Sequence, residues 1–237
     1  MAFKISAAVF CFVVVGSNCW AAGSSYDFEN SSLSLDAKNF CLKMAVKYSQ
    51  PDQVEAMLAV GADATVIDLE GRSIFYWLDE AYEAAEKDDG PWLMDDTKEI
   101  RDLLDQHFIM LLCTAIEQGS DEKFMKAWNA LATNLNEELE YVLGWNDNEL
   151  NASLLHRAAE YNCPNIVRTL LVFGAPVDAE DCAGRLPVHY ARYLGHHEVV
   201  EVFEAYGAPV QGKPVAVHNA FKVGKRKLGN HKRRRIA

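Results

Sequence analysis

Residues 152–211 repeat themselves at a spacing of 33, and this periodicity constrains the fold more than any other feature of the chain. Displaced by 33, His156 falls on His189, Ala158 on Ala191, Val167 on Val200, and Gly174-Ala175-Pro176-Val177 on Gly207-Ala208-Pro209-Val210. The lattice returns upstream at an offset of 113, where Ala45, Val54, Leu58, Gly61-Ala62, Asp68, Gly71 and Arg72 match Ala158, Val167, Leu171, Gly174-Ala175, Asp181, Gly184 and Arg185. A chain of this kind stacks similar units, and it has no need of a single closed globule around a pocket.

The residues of one period dictate its local structure. In Leu154-Leu155-His156-Arg157-Ala158-Ala159 the small alanines permit close helix approach, and Ile166, Val167, Leu170 and Leu171 fall at the spacing of an apolar helical stripe. Gly174 suits the left-handed position just past a helix end, and Asp181-x-x-Gly184 supplies turn chemistry before the next helix. Each unit is therefore expected to be helix, turn, helix and projecting loop.

This pattern resembles the ankyrin repeat. The resemblance rests on Leu186-Pro187-Val188-His189-x-Ala191, Gly195-His196-x-Glu198-Val199-Val200 and Gly207-Ala208, and it extends to Asn39–Arg72 through Ala45, Val54, Leu58, Gly61-Ala62-Asp63 and Asp68-x-x-Gly71. Residues 73–151 match less closely. There Ser73-Ile74-Phe75-Tyr76-Trp77-Leu78 takes a helix-start slot without the usual histidine, Ile100-x-x-Leu103-Leu104 reads as the second helix, and Leu111–Gly119 with Phe124–Leu131 reads as a further degenerate unit. The resemblance implies an all-α ankyrin-repeat solenoid of about five helix-turn-helix units over 37–211, with insertions near 86–97 and 134–151.

The N-terminal segment has a different character. Lys4, the apolar stretch Ile5–Val15, polar Gly16-Ser17-Asn18 and small Ala21-Ala22-Gly23 follow the order of a secretory signal peptide, expected to span 1–22 with cleavage after Ala21 or Ala22. The apolar run is about half the roughly 20 residues that a membrane span requires, so no span is expected in the mature chain. A linker over 23–36 leads to the repeats. The expected destination is secreted or periplasmic, with delivery into a host cell as a further stage.

Half of the chain is apolar, which suffices for a continuous solenoid core. Its charge is split. The whole chain carries −11, but the tail from Gly212 to Ala237 holds nine Lys or Arg and no acid, leaving −20 for residues 1–211. Asp79–Asp105 alone holds eleven acids against three bases. Of the cysteines beyond the leader, Cys163 lies at the helix–helix turn of the template and Cys182 in the projecting loop, ends that are too far apart for a disulfide. Cys41 and Cys113 belong to non-adjacent units.

His196-His197-Glu198-x-x-Glu201 superficially suggests a metalloprotease helix, yet it lacks the second histidine four residues after the first. No nucleophile–base pair, phosphate-cradling loop or paired carboxylate stands at a defensible spacing, so no enzyme activity, metal or cofactor is expected. On the ankyrin template His156 and His189 fill a structural helix-start slot, and His196 bonds loop backbone.

The resemblance also implies a concave binding face made of projecting loops and first helices. Its variable slots map to Leu69, Glu70, Arg72 and Trp77 in the early repeats, and to Arg157, Cys182, Arg185 and Tyr190 in the later ones. Trp, Tyr and Arg are the residue types that carry interface energy, although Trp77 serves equally well as core filling for a degenerate repeat. Trp92 and Trp145 sit in the insertions, where a local cluster is favoured over a partner anchor.

The tail 212–237 interrupts every apolar stretch with Gly, Pro, Asn or Lys/Arg and is expected to stay unstructured. Lys225-Arg226-Lys227 and Lys232-Arg233-Arg234-Arg235 have the composition of a nuclear-localisation or nucleic-acid patch, of a transport signal, or of an arm folded onto the acidic body. Three functions stay open. The first is an exported bacterial protein-binding module, scaffold or host-directed effector, monomeric and with a protein partner. The others are a periplasmic or extracellular scaffold that protects or assembles a bacterial enzyme, and a nucleic-acid- or nucleus-directed protein acting through its tail.

Overall fold

In a computed structural model of the chain, residues 34–87, 91–132, 142–147 and 150–208 are described. Their helices run in the order α1 (Leu35–Lys47), α2 (Pro51–Ala59), α3 (Ile74–Lys87), α4 (Pro91–Glu117), α5 (Asp121–Ala132), α6 (Leu154–Glu160), α7 (Pro164–Val172), α8 (Pro187–Leu194) and α9 (His197–Ala205). Among the described residues there is no named strand, only an isolated bridge between Asn146 and Ser153. The architecture is all-α, as the periodicity requires.

Three helix pairs, α1–α2, α6–α7 and α8–α9, repeat the same hydrogen bonds. At the turn inside each pair a residue takes positive φ, namely Ser49 (52°), Asn162 (56°) and Gly195 (76°). The N–H that follows this residue then folds back: Gln50 N–H donates to Ala45 O at 2.9 Å, Cys163 N–H to Ala158 O at 3.0 Å and His196 N–H to Ala191 O at 2.8 Å. Proline opens the second helix as Pro51 and Pro164, where its missing N–H costs nothing and its fixed φ already suits the helix. The helix ends match too. Gly61, Gly174 and Gly207 stand at φ of 84°, 91° and 78°, a left-handed region that side chains enter at a cost. Ala62, Ala175 and Ala208 follow and donate to Met57, Leu170 and Phe203 carbonyls at 2.9, 2.9 and 3.0 Å.

The described residues fall into two compact units, one within 34–115 and 122–142 and the other within 116–121 and 143–208. In the first, Leu42, Val46, Val54, Phe75, Leu78, Ile100, Leu104 and Phe124 are buried around Phe108, whose ring centroid lies 5.2 Å from that of Phe75. In the second, Leu154, Leu155, Ala158, Ile166, Val167, Leu170, Val188, Ala191 and Phe203 are buried. Full burial of one such branched or aromatic side chain contributes about 1.5–3 kcal/mol, so each helix pair is held by its stripe. The alanines at 45, 158 and 191 are wholly buried, which is why a small residue recurs there.

The degenerate middle departs from the simple lattice. Ile100–Leu104 and Leu111–Glu117, expected as helices of two different units, belong to one continuous α4 of 27 residues. No glycine or proline lies between Pro91 and Gly119, so nothing in the sequence breaks the helix. The extra length expected near 86–97 is likewise helical on either side of residues 88–90. Of the expected insertion at 134–151, residues 134–141 and 148–149 lie outside the described residues. The leader 1–22, the linker to residue 33 and the tail from 212 lie outside them as well.

Candidate protein-binding surface

The loop after α2 is shaped by two aspartates. Asp63 receives the Thr65 N–H at 3.0 Å and the Lys126 ammonium at 2.7 Å, while Asn39 Oδ1 of α1 accepts the Asp63 N–H at 2.7 Å. Asp68 receives the N–H groups of Glu70 and Arg72 at 3.0 and 2.9 Å, and its second oxygen accepts Arg72 Nε at 2.8 Å. Desolvation acts to raise the Asp68 carboxyl. The Arg72 bonds and the charges of Arg72 and Lys43 outweigh it and hold the group below its ordinary value.

A groove of about 220 Å³ opens between this loop, α1 and the start of α3, with Phe40, Lys43, Asp63, Val66, Arg72 and Trp77 among its lining residues. Trp77 is 9% exposed and carries three cations on its indole: Lys43 Nζ at 3.8 Å, Arg72 Cζ at 4.5 Å and Lys47 Nζ at 4.9 Å from the centroid. Each cation also has a carboxylate, since Lys43 pairs with Asp68 at 3.6 Å, Lys47 with Glu80 at 3.3 Å, and Arg72 with Asp68 and Glu70. Trp77 is thus the keystone that fixes α1, α3 and the loop, with an edge on the groove. Leu69, at the loop tip beside exposed Glu70, is fully exposed, and Val66, Ile67 and Phe40 are exposed apolar residues as well.

The corresponding loop of the other unit repeats this clamp in buried form. Asp181 Oδ1 accepts the N–H groups of Ala183 and Arg185 at 2.8 and 2.9 Å, and Oδ2 accepts Arg185 Nε at 2.5 Å and the Tyr190 hydroxyl at 2.7 Å. Burial alone would raise the Asp181 carboxyl, but these bonds hold it low; the same burial and the Asp181 contact push the Tyr190 phenol well above its ordinary value. Arg157 spans Glu117 at 3.1 Å and Asp147 at 3.3 Å. Cys182 is exposed, and its N–H donates to Leu150 O at 2.8 Å, so Leu150 lies beside this loop.

Residues 111–212 match a family model described as ankyrin repeats (3 copies). The stretch is an ankyrin-repeat array. No curated protein matches the chain. Ankyrin repeats form protein–protein interaction modules and are in general not enzymes. Residues 39–72 precede the matched stretch, yet the Asp68–Arg72 and Asp181–Arg185 clamps share the same bonds, including Gly71 and Gly184 N–H to Asp O at 3.0 Å in both. The upstream pair thus shares the loop bonds of the matched stretch.

The structure does not gather all the residues expected on the ankyrin binding face. Leu69, Glu70, Arg72 and Trp77 come together along one loop and groove, and Arg157 and Cys182 lie on the loop side of the second unit. Arg185 and Tyr190 do not belong to an open surface. They are 4% and 1% exposed, because Asp181 draws both side chains into the clamp and the Arg185 guanidinium lies 5.0 Å from the Tyr190 ring. Phe40, Lys43 and Val66 were not singled out by the template. The signal for Val66 was legible: Val66-Ile67-Asp68-Leu69 places three large apolar residues inside a turn, where polar ones are expected. Lys225, Arg226, Lys227, Lys232, Arg233, Arg234 and Arg235 lie outside the described residues.

Among the described residues no three His, Cys, Asp or Glu form a metal-binding group. Cys41, Cys113, Cys163 and Cys182 form no disulfide among the described residues. No helix among the described residues is long and apolar enough to cross a membrane. His196 Nε2 lies 3.1 Å from the Glu160 carbonyl, which gives that histidine a structural partner in the array.

Proposed function

We propose that the chain is an exported bacterial ankyrin-repeat protein that acts as a binding scaffold or host-directed effector, and that its protein partner docks on the loop–groove surface of residues 36–77. The observation that carries this reading is Leu69, fully exposed at the tip of a loop that Asp68, Arg72 and Trp77 hold rigid beside an open groove. Exposed apolar side chains on a pre-ordered loop lose little conformational entropy on binding, and they cover area that water solvates poorly. The leader-like order of Lys4, Ile5–Val15 and Ala21-Ala22-Gly23 supports export.

Binding and export are tested separately. A bound protein partner is expected to slow amide exchange across residues 64–72, and protection confined to α9 would contradict the proposed surface. For export, the protein recovered from the producing cell's envelope or medium should begin at Ala22 or Gly23. Intact Met1 on a soluble cytosolic protein would rule out the leader.

A further inference from the structure

The two projecting loops share one clamp, yet the space between loop and first helix differs between the units. In the second unit His156, 1% exposed, fills that space. Its Nδ1 accepts the Ser153 N–H at 3.1 Å, its Nε2 lies 2.9 Å from the Arg185 carbonyl, and its ring meets Tyr190 in a T-shaped contact with centroids 5.4 Å apart. The offset of 113 that aligns the units puts Lys43 in the place of His156, Phe40 in that of Ser153 and Trp77 in that of Tyr190. Lys43 is drawn elsewhere. Its ammonium lies over the Trp77 ring at 3.8 Å and pairs with Asp68 at 3.6 Å, and Phe40 is left 43% exposed. The groove of the first unit is thus open where the second unit carries a histidine plug.

Size limits what enters. A cavity of about 150 Å³ lined by apolar side chains admits benzene. At about 220 Å³ the groove therefore takes one large apolar side chain and excludes a whole helix. Its lining suits such a group, since Leu42, Ala64 and Ile74 are buried beneath it and Phe40 and Val66 are exposed apolar residues at its edges. Charge limits what accompanies that side chain. Asp63 is paired with Lys126, and Asp68 with Lys43 and Arg72. Asp36, which also lines the groove and is exposed in the first turn of α1, has no ion-pair partner among the described residues. It stands one turn before Phe40 on the same face of α1, a separation of about 5–6 Å between Cβ atoms. Residues two apart in an extended segment point the same way at a similar spacing, about 6.5–7 Å.

We propose, resting on the docking surface assigned above, that the groove seats a single phenylalanine- or leucine-like side chain of an extended partner segment, and that a lysine or arginine two residues away in that segment pairs with Asp36. The formal charge of −11 on the chain favours a basic segment in the same sense.

The test is nuclear magnetic resonance on the nitrogen-labelled full chain, titrated with three capped pentapeptides whose middle residues are Phe-Ser-Lys, Phe-Ser-Glu and Ala-Ser-Lys. The Phe-Ser-Lys peptide is expected to shift the Trp77 indole N–H and the Val66 amide in the millimolar range, with an affinity about threefold or more above that of Phe-Ser-Glu. Ala-Ser-Lys should leave both signals in place. In Asp36→Asn the preference for lysine over glutamate should vanish while the phenylalanine peptides still bind, and in the unaltered chain it should shrink as salt rises. Equal binding of the two phenylalanine peptides to the unaltered chain would overturn the pairing with Asp36 and leave docking on this surface intact. If no peptide moves Trp77 or Val66, the proposal fails as a whole; a natural partner still weakened by Leu69→Asp would then show that docking uses the loop without the groove, whereas a partner indifferent to Leu69→Asp would remove the docking surface too.

Discussion

Asp181 concentrates the electrostatics of its loop: four donors converge on one carboxylate whose side chain is fully buried and whose cation, Arg185, is itself 5% exposed. Removing one donor leaves buried charge less well solvated, so Tyr190→Phe is expected to destabilise the protein by about 1.5–3 kcal/mol, the range for hydrogen bonds to charged groups. An unchanged urea midpoint would show that the hydroxyl bond contributes nothing. Histidines set a second dependence. Burial holds His156, His107 and His189 below the ordinary value of 6.5, so folding favours their neutral forms. Their contribution is complete above pH 6.5 and is lost as pH falls through the lower folded values. Asp63, Asp68 and Asp181, each held below 3.8, add a further loss at still lower pH, while Glu160, raised by burial, acts in the opposite sense. The denaturation midpoint should therefore decline below pH 6.5, with the His156 ring protons titrating below that value; titration of His156 at or above 6.5 would contradict the assignment.

At the scale of the helices, the alanines are the most restrictive positions. Ala191 is wholly buried where α8 packs on α6, and Ala191→Leu should overpack the contact and destabilise by roughly 1–3 kcal/mol in chemical denaturation. No change would place the residue at solvent. The helix pairs with regular periods were legible in the sequence because alanine, glycine and proline recur at positions where the backbone demands them. The long α4 was not legible, since its unit boundary left no glycine or proline behind and a template divides it in two. The place of Leu69 and Arg72 on the projecting loop was readable from the Asp68-x-x-Gly71 pattern. Arg185 and Tyr190 were misplaced because the template counts slots and cannot see that Asp181 pulls both side chains inward. Trp77 needed the structure as well: only three-dimensional placement shows Lys43, Lys47 and Arg72 converging on one indole.

Over the whole molecule, a −20 body joined to a tail of nine basic residues makes nonspecific attraction of basic proteins strongly salt-dependent, whereas apolar docking on a rigid loop is much less so. A partner docked on the proposed surface would be read by the loop and groove around Leu69, with the outer helices left free. The direct measurement is the affinity of a co-purified protein partner, at physiological salt, for the full chain and for Leu69→Asp, Phe40→Ala and Glu201→Ala. Leu69→Asp and Phe40→Ala are each expected to weaken binding by more than about 1 kcal/mol, roughly fivefold or more, with helical content intact and Glu201→Ala neutral. Equal loss from Glu201→Ala, or unchanged affinity in both loop-side variants, would contradict docking on this surface.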